Sequence, residues 1–217
     1  MVHPKNLADF EEFFSSFPED DQEKGDYFEK VFCPWFLKYD KQLSVNISKI
    51  WIWENFPLRW RDKECGIDLV FQDNNDRYWA VQAKCYDSKY YITKQDVDSF
   101  LSESNREIIY GRLLIATTNL IGKNARQVIE GQEKRVFCFL RKDFYKSQIN
   151  YPKSINALSE VKYKKIAEPF LFQKKAINQT VDHFREDDRG KLIMACGTGK
   201  TLTSLWIKEK IKSQKTL

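Results

Sequence analysis

Apolar residues recur along this chain with two periods, and the switches between them predict its elements. Leu7, Phe10, Phe13, Phe14 and Phe17 fall at helical spacing, which predicts a packing helix over 6–17. After an acidic break over 18–23, a second helical stretch begins near Lys24, with Tyr27, Phe28, Val31 and Phe32 on its buried side. Pro34 is expected to end or kink it, because proline has no amide proton to give to a helix interior. The segment ISKIWIWENF (47–56) reads as a strand from its aromatic and β-branched content, with Trp51 and Trp53 packing on one face. A charged loop over 57–64 carries Arg59, Arg61 and Lys63, cations that either meet phosphate or solvate the loop. Residues 66–86 then alternate as two strands, reversed at Asp73-Asn74-Asn75-Asp76. A helix over 94–104 capped by Thr93, a buried strand over 110–116, a helix over 123–132 and a strand over 136–140 follow. This alternation predicts an α/β fold, a mixed sheet flanked by helices, ending near residue 145.

Periodicity then lapses. Over 146–165 the cations Lys146, Lys153, Lys162, Lys164 and Lys165 stand among Ser, Asn and Tyr, which reads as a linker. Beyond it, Phe172, Ala176, Ile177, Val181 and Phe184 form a helical stripe behind Pro169, followed by a short apolar strand over 190–195 and a helix over 202–211. The expected division is a domain over 1–145, a linker over 146–165 and the start of a second domain over 166–217.

Composition changes this picture little. Hydrophobic residues make up 42% and aromatics 15%, the balance of a folded protein. A net charge of +5 allows a nucleic-acid partner without requiring one. Five cysteines without a CxxC pair, and histidines only at His3 and His183, argue against structural zinc and a disulfide framework and fit a reducing cytoplasm. There is no apolar run of membrane-spanning length and no signal-peptide core at the N-terminus, so a soluble cytoplasmic protein with no membrane partner is expected.

The chemistry concentrates in the hairpin GIDLVFQDNNDRYWAVQAKCY. Asp68 sits early on its first strand, and strand alternation points Gln82 and Lys84 on the second to one face. Ile67, Leu69, Val81 and Ala83 are expected to face the other way. Oxygen ligands for a hard divalent cation beside an ammonium group are what phosphodiester hydrolysis needs. The pattern resembles the PD-(D/E)XK nuclease superfamily in its Mrr-like form, where glutamine replaces the second acid to give QxK. An amide is a weaker ligand than a carboxylate, so a further acid is wanted. Taken alone, Glu29 reads as a solvated helix residue, but KGDYFEKVF resembles the helix that precedes this hairpin in Mrr-like proteins, where the glutamate reaches the metal site. The resemblance implies Mg²⁺ held by Asp68, Glu29, the Gln82 side chain and the Ala83 carbonyl, with Lys84 orienting the attacking water.

A second signature lies at ACGTGKT (195–201), between an apolar stretch and a helical one, the setting of a phosphate-binding loop. Gly197 and Gly199, flanking Thr198, let backbone amides turn toward phosphate at a helix N-terminus. Lys200 would meet the β- and γ-phosphates of ATP, and Thr201 would help hold its Mg²⁺. Met194 stands where the strict pattern begins with glycine, and MACGTGKT resembles the form found in superfamily-two helicases and translocases. Gln173 falls where such motors place an adenine-reading glutamine, although Phe170 occupies the usual place of a nearby arginine. A motor also needs an acidic Walker B strand, a water-positioning residue and an arginine from a second lobe. None occurs before Leu217, so part of a larger polypeptide, unable to hydrolyse ATP alone, is expected.

The KGDYFE helix, the hairpin and RGKLIMACGTGKT, in this order, resemble the N-terminal part of a Type ISP-like restriction-modification enzyme. The resemblance implies a nuclease coupled to an ATP-driven translocase acting on double-stranded DNA. It also implies further domains of the same polypeptide: the rest of the motor, an N6-adenine methyltransferase and a target-recognition domain. A rival of another class is a nuclease-shaped DNA-binding module that has lost its chemistry, carried on a DNA or RNA helicase; Gln82 in place of an acid is its argument.

Overall fold

In the computed structural model, residues 4–61, 65–158, 161–164, 168–195 and 197–212 are described, with side chains from Asp9 onward. Lys63, Cys196 and the Leu7 side chain lie outside them. The chain divides into two units, Met1–Lys164 and Lys165–Leu217.

The first unit opens with α1 (Pro4–Ser15) and α2 (Asp21–Tyr27), the latter capped by Asp20, whose Oδ1 accepts the amides of Gln22 and Glu23. A π-helical turn, Phe28–Phe32, leads directly into α3 (Cys33–Tyr39). Pro34 therefore does not end the helix, which runs unbroken from Asp21 to Tyr39. The turn widens just before it, with the Cys33 amide reaching back to the Phe28 carbonyl, and this local widening accommodates a residue that has no amide proton to donate.

Next come β1 (Ile47–Ile52), β2 (Leu69–Asp73), β3 (Tyr78–Lys84), β4 (Tyr91–Ile92), α4 (Lys94–Glu103) and β5 (Ile109–Ala116). They are followed by β6 (Leu120–Ile121), α5 (Lys123–Glu130), β7 (Val136–Phe139) and α6 (Arg141–Phe144). The main sheet runs β1-β2-β3-β5-β7, antiparallel as far as β3 and parallel from β3 through β5 to β7, with α4 and α5 as the crossovers. The β2–β3 reversal is built by Asp73, whose Oδ1 accepts the amides of Asn75 and Arg77, with Asp76 at φ 62°. Thr93 and Asp96 cap α4 reciprocally.

Alternation divides the core. Leu69, Val81, Ala83, Leu113 and Ile115 pack beneath Phe10, Phe13, Phe28, Phe32 and Phe36 of the N-terminal helices. Val70, Ala80, Leu114 and Ala116 pack against Val97, Phe100 and Ile129 on the other face. Each fully buried side chain of this size stabilises the fold by about 1.5–3 kcal/mol relative to exposure. Trp51 and Trp53 both belong to the second cluster, although Trp53 has left the strand for a short 3-10 turn.

Two expectations fail here. Residues 146–164 are not a linker. β8 (Ile149–Asn150) pairs with β9 (Lys162–Tyr163), Tyr151 is buried in the first cluster, and Trp35 Nε1 donates to the Leu158 carbonyl at 2.9 Å. Single apolar anchors in a polar segment have no period, so a pattern reading passes over them. In the second unit, α7 (Leu171–His183) packs on α8 (Lys200–Ile211), with Ile177, Thr203 and Ile207 buried. The apolar stretch 190–195 is not a strand; among the described residues this unit offers it no ladder partner. Phe172 and Phe184 are exposed, while Gln173 is buried. Among the described residues, no helix is long and apolar enough to cross a membrane.

Candidate active site

Asp68 stands just before β2, at an irregularity. Leu69 is the residue that faces Val81, yet the Asp68 amide also donates to the Val81 carbonyl at 2.9 Å, so two residues answer one. Gly66 makes the approach possible. Its φ is +81°, and a Cβ there would lie 2.9 Å from the Phe100 amide nitrogen. The bend has a consequence for Ile67, which packs in the second cluster rather than with Leu69, Val81 and Ala83 as expected. Asp68 is held at three backbone points. Its carbonyl accepts the Trp53 amide at 2.8 Å, its amide is engaged as above, and its Oδ2 accepts the Ala83 amide at 2.6 Å.

Gln82 and Lys84 lie on β3 beside it. Gln82 is 2% exposed, and its Oε1 is buried with no hydrogen-bond partner. Lys84 ends the strand, half-buried, with its carbonyl accepting the Thr117 amide at 3.0 Å. No ion pair engages its ammonium among the described residues. Glu29 is on the π-helical turn, which packs against β3. Cys33, the next residue after that turn, links the two acids. Burial pushes its thiol well above the ordinary value, and the negative charges of Asp68 and Glu29 add to the effect.

Among the described residues, no group of three or more His, Cys, Asp or Glu forms a metal cage. The donor set is instead the Asp68 carboxylate, whose Oδ2 accepts the Ala83 amide, a buried amide oxygen and a backbone carbonyl. These are hard oxygen ligands of the kind Mg²⁺ takes. The orphaned Gln82 Oε1 carries the fit, since leaving such an atom unsatisfied costs about 1–3 kcal/mol. Two cations of the preceding loop are engaged nearby: Arg61 pairs with Glu103 at 2.9 Å, and Arg59 donates to the Glu54 carbonyl.

Sequence reading missed the support beyond Lys84. The Thr117 hydroxyl accepts the Tyr86 amide at 2.7 Å and donates to the Tyr86 carbonyl at 2.6 Å. Tyr86 donates to Asp96 Oδ1 at 2.8 Å. Asp96, which also caps α4 with Thr93, takes this second role only through where the strand places Tyr86.

In the second unit, Gly197 and Gly199 adopt φ of 76° and 77°, and Lys200 opens α8. Lys200 Nζ donates to the Met194 carbonyl at 2.9 Å and the Thr198 hydroxyl to the Ala195 carbonyl at 2.6 Å. Thr201 is exposed on the first turn of the helix. Gln173 is committed at both ends, with Oε1 accepting the Phe170 amide at 2.8 Å and Nε2 donating to the Thr198 carbonyl at 2.9 Å. Both ends of the amide are thus taken by backbone groups.

Residues 38–161 match a family model described as restriction endonuclease, and residues 166–217 match one described as Type III restriction enzyme, res subunit. The chain is similar to the ATP-dependent Type ISP restriction-modification enzyme LlaBIII bound to DNA, at 30% identity and a TM-score of 0.71, covering 90% of this chain and 13% of that one. It is also similar to the DNA modification-dependent restriction endonuclease AspBHI, at 18% identity and a TM-score of 0.45, covering 67% of this chain and 35% of that one. No curated protein matches it.

Proposed function

We propose that this chain, which belongs to the restriction endonuclease family, hydrolyses phosphodiester bonds of double-stranded DNA at the Asp68–Gln82–Lys84 cluster with Mg²⁺ as cofactor. The observation that carries the reading is the buried, unpartnered Gln82 Oε1 on the strand next to a carboxylate held by a backbone amide. Mg²⁺, when bound, would supply a polarised water and positive charge against the phosphate. The chain's own residues do the rest. Asp68 and Gln82 present oxygens from neighbouring strands, the Ala83 carbonyl adds a third, and Glu29 adds a carboxylate from the helical side. Lys84, free of an acidic partner among the described residues, orients the attacking water and offsets charge on the pentavalent phosphate.

The second unit carries the phosphate loop of an ATP-driven translocase. Gly197, Thr198 and Gly199 would turn backbone amides toward phosphate, Lys200, now bonded to the Met194 carbonyl, would meet the β- and γ-phosphates, and Thr201 would help hold Mg²⁺. The similarity to LlaBIII, over 13% of that chain, supports a role in restriction of foreign DNA, with further domains of the same polypeptide as partners.

One observation favours the rival, a DNA-binding module without chemistry: the second acid is a glutamine. Plasmid cleavage in Mg²⁺ by the full-length protein decides between them. The nuclease reading requires cutting that Asp68→Ala and Lys84→Ala each abolish, and normal cutting by either variant ends it.

A further inference from the structure

The chain leaving Lys84 has no regular secondary structure over 85–90, yet it is fixed from two sides. On one side stand Thr117 and Thr118, both fully buried. Thr117 bonds both the amide and the carbonyl of Tyr86, and the Thr118 hydroxyl donates to the Tyr90 carbonyl at 2.8 Å and lies 3.2 Å from that of Ser88. Thr117 is itself pinned by Arg141, whose Nη1 donates to its carbonyl at 2.8 Å. On the other side, one carboxylate gathers two phenols: Asp96 accepts Tyr86 at 2.8 Å and Tyr90 at 3.2 Å, along with the Thr93 amide and hydroxyl. The Tyr86 and Tyr90 rings meet at 4.2 Å between centroids.

This bracing ends at a surface. Within β3, Ala80, Gln82 and Lys84 share a face, and Tyr86, two residues past the strand, packs in the cluster on that same side. Beyond it, Tyr90 is 39% and Tyr91 59% exposed, and Lys89 is exposed. The acids nearby are engaged, Asp87 by the Lys89 amide and Asp98 by Lys94. Exposed aromatics beside a cation, on a loop held by buried polar atoms, form a functional surface on a rigid scaffold. The chemistry that fits is a nucleic-acid strand, with rings against sugar and base and an ammonium against phosphate.

We propose that Lys89, Tyr90 and Tyr91 form the rest on which the DNA strand carrying the scissile phosphate lies, and that Asp96 is the positioning residue that fixes this rest relative to Lys84. The proposal builds on the nuclease reading but can fail apart from it.

Two measurements on the full-length protein test it. Duplex DNA bearing bromodeoxyuridine, irradiated with the Asp68→Ala protein, should crosslink to the peptide containing Tyr90 and Tyr91; this readout needs no cleavage, and absence of that crosslink overturns the proposal. In cleavage assays, Tyr91→Ala, at an exposed position that leaves folding intact, should raise KM for DNA at least about fivefold with kcat little changed. Asp96→Asn should raise KM similarly, and Asp96→Glu should restore part of it. A lowered melting temperature with unchanged KM in both Tyr91→Ala and Asp96→Asn overturns the proposal and leaves the nuclease reading standing. A crosslink at Tyr90 and Tyr91 in a protein that never cuts sinks the nuclease reading and keeps the rest.

Discussion

The Asp68 carboxylate accepts the backbone amide of Ala83 at 2.6 Å, taking the place of a ladder bond where the two strands fall out of step. One side chain is thereby both part of the sheet and the first oxygen of the hydrolytic cluster. Substitutions separate the two roles. Asp68→Asn retains an acceptor for Ala83 and should fold with near-normal stability. Asp68→Ala leaves that amide unpaired and should lose about 1–3 kcal/mol. Both should abolish Mg²⁺-dependent plasmid cutting. Thermal denaturation read beside the cleavage assay checks the pair; equal melting temperatures for the two variants would contradict the structural role.

Gln82 Oε1 is a buried atom with an unmet demand, as are Tyr27 Oη, Trp53 Nε1 and Arg112 Nε among the described residues, but it alone of these lies beside Asp68 and Lys84, and its replacements differ in sign. Gln82→Leu removes the demand, so stability should hold or rise while cutting is lost. Gln82→Glu places a carboxylate in the same buried position. Without divalent cation that variant should melt below wild type, because a buried charge lacks compensation. Mg²⁺ should restore it, and half-maximal cutting should need less Mg²⁺ than in wild type. A Mg²⁺ titration of the melting temperature tests this, and a Gln82→Glu protein indifferent to Mg²⁺ would remove Gln82 from the metal site.

At the opposite end of the hairpin, Asp73 gives a pH dependence. Burial pushes its carboxyl up, but hydrogen bonds from the Arg77 and Trp79 side chains and from backbone amides outweigh it and bring the value from 3.8 down to about 2. A folded-state pKa below the unfolded one means stability that is present above about pH 4 and lost as pH falls toward 2. Asp73→Asn should therefore be less stable than wild type at pH 6, with the difference shrinking between pH 4 and pH 2. Urea midpoints of both proteins across that range measure it; a constant gap would refute the assignment.

Much of this was legible from the chain. Alternation in GIDLV and AVQAK gave both strands, the Asn–Asp turn gave their reversal, and Thr93 gave the start of α4. Most of the missed features are set by a partner distant in sequence. Ile67 changes face because Gly66 passes Phe100, and residues 146–164 join the first unit through Trp35, Tyr39 and the aromatic cluster. Glu29 sits on a π-helical turn rather than a regular helix, a local widening that a period of 3.6 does not encode. Gln173 was read as adenine-facing from its place before the phosphate loop, but its neighbours in space are Phe170 and Thr198.

That last contact makes the phosphate loop testable. Gly199 is held at φ 77°, and a Cβ there would lie 2.8 Å from Gln173 Nε2. Gly199→Ala thus meets two separate obstacles: a left-handed backbone, which costs a residue with a side chain about 1–2 kcal/mol, and a collision with a buried amide. In the full-length protein this variant should lose ATP affinity, measured by titration with a fluorescent nucleotide. Adding Gln173→Ala removes the collision but not the backbone term, so the double variant should bind ATP better than Gly199→Ala and worse than Gln173→Ala alone. That order requires Gln173 to act on the loop through space. If the double variant instead binds more weakly than either single one, the glutamine contributes to nucleotide binding on its own account, and its role returns to the base rather than the loop.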